Sequence, residues 1–261
     1  MIQEKSNFQK LMRERERVVI AFAGDSGDGI QVVGQQLTEA SAILGNDVQT
    51  FSDFPAEIRA PAGTIAGLSG FQLHFASQDI HTPGDTLDAL VAFNPAAVSK
   101  YVKQLKPKGL LIVDEDKFDE KEFKKAGLTC NPVNETVKEQ YRLLSVPMTS
   151  LVFKAVEHTG LSRAKQRKCK NLFALGLVYW LYGRSLESTQ EWIRSKFRFQ
   201  ADLVEANLEA LRAGYLYAEN SELLEEQFHI PKAKLPSGLY RQVTGNEALC
   251  LGAMMASYQW Q

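Results

Sequence analysis

The apolar run Val18-Val19-Ile20-Ala21-Phe22-Ala23 leads straight into Gly24-Asp25-Ser26-Gly27-Asp28-Gly29. An unbroken apolar segment of strand length suits a strand buried on both faces, as in a parallel sheet. Beyond the glycines, Ile30, Val33, Leu37, Ala40 and Leu44 recur at spacings of three and four. A helix there turns one stripe onto the sheet and leaves Gln31, Gln35, Gln36 and Glu39 facing outward. The glycines between strand and helix permit positive φ and close backbone approach, just where the first helical N–H groups lack partners. The carboxyl end of a sheet strand is also where α/β proteins place ligands.

Gly24, Asp25, Ser26, Gly27, Asp28 and Gly29 are therefore the candidate binding residues, although their spacing fits no standard phosphate loop. A Walker loop requires Lys followed by Ser or Thr after its last glycine, and Ile30 and Gln31 stand there instead. A dinucleotide fingerprint requires glycine where the chain has Ser26. Asp25 and Asp28 would also repel a pyrophosphate, an effect only partly offset by the helix macrodipole. The alternative is a tight turn in which Asp28 or Ser26 caps the helix.

The formal net charge of −1 supplies no field for holding nucleic acid or an anionic membrane, even with Arg13, Arg15 and Arg17 near the start. That basic stretch, LMRERER, reads as a solvated turn. No apolar run reaches the ~20 residues of a membrane span and MIQEKSNFQK is not a signal peptide, so a cytoplasmic protein is expected. Cys130, Cys169 and Cys250 form no CxxC pair, zinc spacing or iron–sulfur run, and the histidines lack ligand partners.

Further along, Val48 to Phe51 reads as a second strand, and Asp53 lies about twenty residues past the loop, where a dinucleotide fold carries its ribose-binding acid. In FPAEIRAPAGTIAG, Pro55, Pro61 and Gly63 fix an extended loop that carries Glu57 and Arg59, which either pair with each other or face a ligand or partner. Phe71, Leu73 and Phe75 alternate with polar residues, suggesting a half-buried strand, antiparallel and at an edge. Leu87 to Phe93 and Leu110 to Val113 are further strands, separated by a helix from Ala96 to Leu105. Asp114, Glu115 and Asp116 read as a solvated turn rather than a metal site.

Phe118 to Ala126 reads as a short helix, and from Val137 the pattern turns helical throughout, with Leu143, Leu144 and Val146 included. In NLFALGLVYWLY, Ala174 and Gly176 suggest close packing against another element. Together these segments predict an α/β fold: an open, mostly parallel, doubly wound sheet, Rossmann-like, with a C-terminal helical extension. The expected divisions are an N-terminal segment (1–16), the α/β domain with its extension (17–215), a linker (216–240) and the start of a further domain (241–261). That last segment opens an apolar helix, ALCLGAMMASYQW, which suggests docking on another chain or a piece of a longer protein.

Four stretches resemble the 2-oxoacid:ferredoxin oxidoreductase family, and specifically the gamma-type domain fused at the N-terminus of a 2-oxoglutarate-type alpha subunit. GDSGDG after a strand is similar to the family's glycine-rich loop, and FPAEIRAPAGTIAG to its E-[IM]-R-x-x-x-G segment. KNLFALG at Lys170 to Gly176 resembles a gamma-domain helix, and LYRQVTGNEALCLGAM the entry to the thiamine-fold alpha domain. One departure is Ser26-Gly27, where the family often has Gly-Gly.

The resemblance implies oxidative decarboxylation of a 2-oxoacid, 2-oxoglutarate by subtype, with transfer of the acyl group to coenzyme A and of electrons to ferredoxin. It implies thiamine diphosphate, Mg2+ and an iron–sulfur cluster on a beta subunit, no cofactor on this chain alone, and no catalysis by the chain in isolation. The gamma-type domain would lie on the coenzyme A side of the active site, with the glycine loop, Glu57 and Arg59 as its binding residues. Partners would be the beta subunit, the rest of the alpha subunit and ferredoxin, with neither nucleic acid nor membrane. The competing readings are a free-standing nucleotide-binding oxidoreductase and a non-catalytic docking module.

Overall fold

The computed structural model describes residues 10–54 and 67–259. In chain order the elements are β1 (Leu11–Glu14), β2 (Arg17–Asp25), α1 (Ile30–Ile43), β3 (Asp47–Asp53), β4 (Leu68–Ala76), β5 (Leu87–Ala92), α2 (Pro95–Tyr101), β6 (Leu105–Asp114), α3 (Glu120–Lys125) and α4 (Glu135–Gln140). There follow β7 (Arg142–Val146), α5 (Met148–Ala155), α6 (Arg163–Lys168), α7 (Lys170–Leu181), α8 (Glu187–Lys196), α9 (Ala201–Asn220), β8 (Glu226–His229) and α10 (Gly245–Gln259).

The main sheet has the order β3-β4-β2-β5-β6-β7. β2, β5, β6 and β7 pair in parallel, while β4 runs antiparallel to both β2 and β3. Apolar residues cover both faces of β2. Val18, Ile20 and Phe22 join a core shared with α1, α7 and α9, whereas Val19, Ala21 and Ala23 face the core of α2. The sheet is thus doubly wound, as the unbroken apolar run of β2 implies.

On the α1 side, α7 and α9 cross closely. A Cβ on Gly176 would lie 2.0 Å from the Leu211 carbonyl oxygen, and one on Gly214 would lie 1.9 Å from that of Phe173. These glycines bring two backbones into contact that any side chain would block. Tyr179 fastens α7 to α1 by donating to the Gln36 carbonyl at 2.9 Å.

Several expectations are corrected. β4 lies inside the sheet, not at an edge, because β3 pairs along its full length. Leu143, Leu144 and Val146 belong to strand β7, where only one side has a strand neighbour. The LMRERER stretch holds β1, paired in parallel with β8 from Leu11 opposite Glu226 to Glu14 opposite His229. Arg13 reaches Glu226 at 2.7 Å and Arg15 stacks over Phe228. The helical extension, expected to end near residue 215, runs on to Asn220, and the expected linker 216–240 contains β8 and the buried Leu224 and Ile230. No described helix is long and apolar enough to cross a membrane.

Candidate functional site

The parallel strands β2, β5 and β6 deliver Asp25, Asn94 and Asp114 to one end of the sheet. α1 and α2 pack on opposite faces, so the β2–β5 junction is the switch point at which α/β sheets open a crevice. Asn94 spans that junction. Its Nδ2 donates to Asp25 Oδ1 at 2.7 Å, while its Oδ1 accepts the Ala97 N–H at 2.9 Å and caps α2.

The glycine loop is built from the backbone outward. Ser26 donates its N–H to the Gly67 carbonyl at 3.0 Å, and Asp28 donates its own to the Asp25 carbonyl at 3.0 Å. Gly27 and Gly29 then take left-handed φ values of 101° and 76° that L side chains resist. Gly29 is the N-cap of α1, and no side chain caps that helix or places an acid in its first turn. Neither Asp28 nor Ser26 takes the expected capping role. Asp28 turns inward instead, its Oδ2 accepting the Asp25 N–H at 3.1 Å.

The two aspartates are held differently. Asp25 is engaged by Asn94 and by Lys125, whose Nζ lies 2.7 Å from Oδ2, a bond that raises the pKa of Lys125. Burial raises the Asp28 carboxyl above its ordinary value, and nearby Asp25 adds to the rise while the charge of Lys170 opposes it. The repulsion expected from the sequence is therefore reduced at Asp25, whose charge Lys125 offsets.

Beneath the loop, Lys170 begins α7 with its ammonium 3.1 Å from Asp114 Oδ2, the two side chains 4% and 0% exposed. The same ammonium lies 4.9 Å from the Phe93 ring centroid. Asp114 also accepts from Thr149 N–H and Oγ1, at 3.3 and 2.8 Å, and Asp116 accepts from Ser150 N–H and Oγ at 2.6 and 2.8 Å. Two members of the acidic triplet expected as a solvated turn, Asp114 and Asp116, thus tie down the start of α5, and Asp114 neutralises a buried lysine. A lysine in the first turn of an apolar helix opposes the macrodipole, and that oddity was the sequence signal for its role.

Asp53 does not occupy a ribose site beside β2. β4 separates it from β2 by an extra strand, so it lies roughly 10 Å away in the hydrogen-bonding direction. Its carboxylate is held by Lys100 at 2.6 Å and by the Tyr101 hydroxyl. Burial raises the Asp53 carboxyl, but those two bonds outweigh it and bring the group below its ordinary value. Burial and the Asp53 contact push Tyr101 up to about 12. Glu57 and Arg59 lie outside the described residues.

Among the described residues no group of three or more His, Cys, Asp or Glu is placed to hold a metal ion. Cys130 and Cys250 are exposed and Cys169 is buried, each a free thiol, so this set of thiols does not fit an iron–sulfur cluster.

Comparison with known proteins bears on this geometry. The family model for pyruvate ferredoxin/flavodoxin oxidoreductase matches residues 19–217. The chain is 46% identical over 241 residues to the 2-oxoglutarate oxidoreductase subunit KorA of Mycobacterium tuberculosis, covering 92% of this chain and 37% of that protein. Its fold matches the 2-oxoglutarate:ferredoxin oxidoreductase of Magnetococcus marinus, solved with 2-oxoglutarate, coenzyme A and succinyl-CoA bound, at a TM-score of 0.72 and 25% identity over 92% of this chain and 37% of that one. It also matches a keto/oxoacid ferredoxin oxidoreductase gamma subunit of Geobacter sulfurreducens, at a TM-score of 0.53 and 24% identity over 78% of this chain and 99% of that subunit. The chain thus spans little more than a third of the KorA subunit it matches. With the match over residues 19–217 and the identity to KorA, this chain belongs to the pyruvate ferredoxin/flavodoxin oxidoreductase family.

Proposed function

We propose that this chain is the N-terminal, gamma-type part of the alpha subunit of a 2-oxoacid:ferredoxin oxidoreductase acting on 2-oxoglutarate. The complex would decarboxylate its substrate oxidatively, form succinyl-CoA and reduce ferredoxin in the cytoplasm. The observation that carries this reading is the 46% identity to KorA across 92% of the chain. The substrate and coenzyme in the Magnetococcus marinus structure support the same substrate pair. Residues 17–215 would form the gamma-type domain and residues 241–261 the start of the thiamine-fold domain.

Thiamine diphosphate, Mg2+ and the iron–sulfur cluster would belong to a beta subunit, as the resemblance implies. The contribution of this chain is to shape the coenzyme A side. An uncapped α1 N-terminus with two left-handed glycines presents backbone N–H groups to an anion, and the neighbouring Asp25 is held by Asn94 and Lys125. Glu57 and Arg59 are assigned to the same face through the resemblance of their segment.

The test is affinity purification of the tagged native protein from its own cell, followed by assay of the recovered complex with 2-oxoglutarate, pyruvate and 2-oxoisovalerate. The expected result is a copurifying thiamine-binding subunit and a kcat/KM highest for 2-oxoglutarate. Recovery of a monomer that binds NAD(H) would favour the free-standing oxidoreductase instead.

A further inference from the structure

At the amino ends of the parallel strands, opposite the glycine loop, a cavity of about 120 Å³ lies between Arg15, Lys106, Lys108, Arg142, Tyr182 and Phe228. That volume is far above the ~10–15 Å³ that one water needs and below the roughly 300 Å³ at which drug-sized sites begin. A bulge in β6 builds one wall. Leu87 pairs with Leu105 but Ala89 with Leu110, so Lys106, Pro107, Lys108 and Gly109 stand against Asp88 alone. Lys108 takes a φ of 61°, a left-handed conformation that no other non-glycine adopts among the described residues and that L side chains resist. Another wall comes from the β1–β8 ribbon, where the Arg15 guanidinium lies 4.9 Å from the Phe228 ring centroid. Tyr182, 4% exposed, completes the lining, its hydroxyl in the fields of Asp88, Arg15 and Arg184.

Four cations line this cavity against two carboxylates, and every oxygen of those carboxylates already accepts a bond. Asp88 accepts Lys106 on Oδ1 and the Val19 N–H on Oδ2, each at 2.8 Å. Glu226 accepts Arg13 on Oε1 at 2.7 Å and Arg142 on Oε2 at 3.0 Å. Arg15 and Lys108 join no salt bridge among the described residues, and Lys108 donates only to the Glu139 carbonyl at 3.0 Å. We propose that this cavity binds a small, doubly charged oxyanion of the class of inorganic phosphate, held by Arg15, Arg142, Lys106 and Lys108. The planar fork of a guanidinium matches two oxygens of such an anion, and the surplus of two positive charges matches its charge. The bound anion bridges the β1–β8 ribbon to the ends of β6 and β7, which no single side chain here does for all three. This site stands apart from the glycine loop and does not rest on the functional reading above.

The test titrates the 261-residue chain with inorganic phosphate, sulfate and chloride at fixed ionic strength, followed by calorimetry and thermal denaturation. Phosphate and sulfate are expected to bind one to one and to raise the melting temperature saturably, whereas chloride does neither. Arg15→Gln and Arg142→Gln are each expected to weaken phosphate by about tenfold or more, the loss of one charge-assisted contact, while Arg15→Lys loses less. Arg194→Gln, an exposed change on α8 outside the cavity, is expected to leave phosphate binding intact. Lys108→Gly guards against variants that simply fail to fold, because glycine relieves the left-handed strain. It is expected to melt higher than the unsubstituted chain without phosphate, yet to gain less when phosphate is added. Chloride matching phosphate at equal ionic strength, or a phosphate shift that never saturates, would overturn the site. Saturable phosphate binding that survives Arg15→Gln and Lys108→Gly alike would place the anion elsewhere and overturn it as well.

Discussion

A Cβ placed on Gly29 would lie 2.1 Å from Nδ2 of Asn171, so the glycine loop and the first turn of α7 meet at a contact with room only for hydrogen. Two segments far apart in the chain, GDSGDG and KNLFALG, are therefore one structural unit. Gly27, by contrast, has open space around it, and only its φ of 101° resists a side chain. Gly27→Ala is expected to cost about 1–2 kcal/mol from backbone strain alone. Gly29→Ala is expected to cost about 2–5 kcal/mol, since overpacking against Asn171 adds to that strain. Chemical denaturation of both variants checks the order, and the difference vanishes if the two segments do not touch.

Asp28 makes stability depend on pH in a defined direction. Burial raises its carboxyl above the ordinary aspartate value, with Asp25 adding to the effect. The unfolded chain therefore loses this proton at a lower pH than the folded protein does. Stability from this group is present below about 3.8 and is lost as pH rises through the folded value. Asp28→Asn can keep the bond to the Asp25 N–H through its amide oxygen while removing the ionisation. Its melting temperature at pH 7 is expected to equal or exceed that of the unsubstituted protein, with the difference shrinking towards pH 4. A large loss at pH 7 would show that the charge itself holds the loop.

Lys170 and Asp114 form a buried pair, so removing one partner strands the other. Lys170→Met is expected to destabilise by about 3–5 kcal/mol, because Asp114 stays fully buried with only Thr149 for company. Lys170→Met combined with Asp114→Asn should recover part of that loss. A double-mutant cycle in urea measures the coupling, and additive losses would mean that the pair does not interact.

How far this was legible in the sequence depended on where each partner lay. β2, α1 and α7 could be read because long apolar runs or clean helical stripes identify elements covered by the core. β7 was hidden because Leu143, Leu144 and Val146 also fit helical spacing beside the helix that follows. β1 and β8 were hidden because each is short and pairs with the opposite end of the chain. At the site, the glycine geometry was readable, but the balance of charge was not. Asp25 looked hostile to an anion, but Asn94 and Lys125 reach it from other elements.

Helix α10 is exposed from Gly245 to Tyr258, with Leu249 at 73% and Met255 at 67%. Its start is locally secured, Thr244 and Glu247 exchanging backbone-to-side-chain bonds of 2.7 and 3.2 Å in a capping box. Deleting residues 241–261 is therefore expected to leave the melting temperature almost unchanged while reducing self-association through the apolar face. Sedimentation velocity and thermal denaturation of the two forms check this. Unfolding of the shortened chain would place the segment in the main core.

The most direct measurement is ferredoxin reduction by the complex purified with this chain, with 2-oxoglutarate present and coenzyme A either supplied or withheld. The expected result is reduction that requires both compounds, yields succinyl-CoA, and weakens in its KM for coenzyme A when Gly29 is replaced by Ala. Reduction that proceeds equally without coenzyme A, or that transfers electrons to NAD in place of ferredoxin, would contradict the assignment of this chain to the coenzyme A side of a 2-oxoglutarate oxidoreductase.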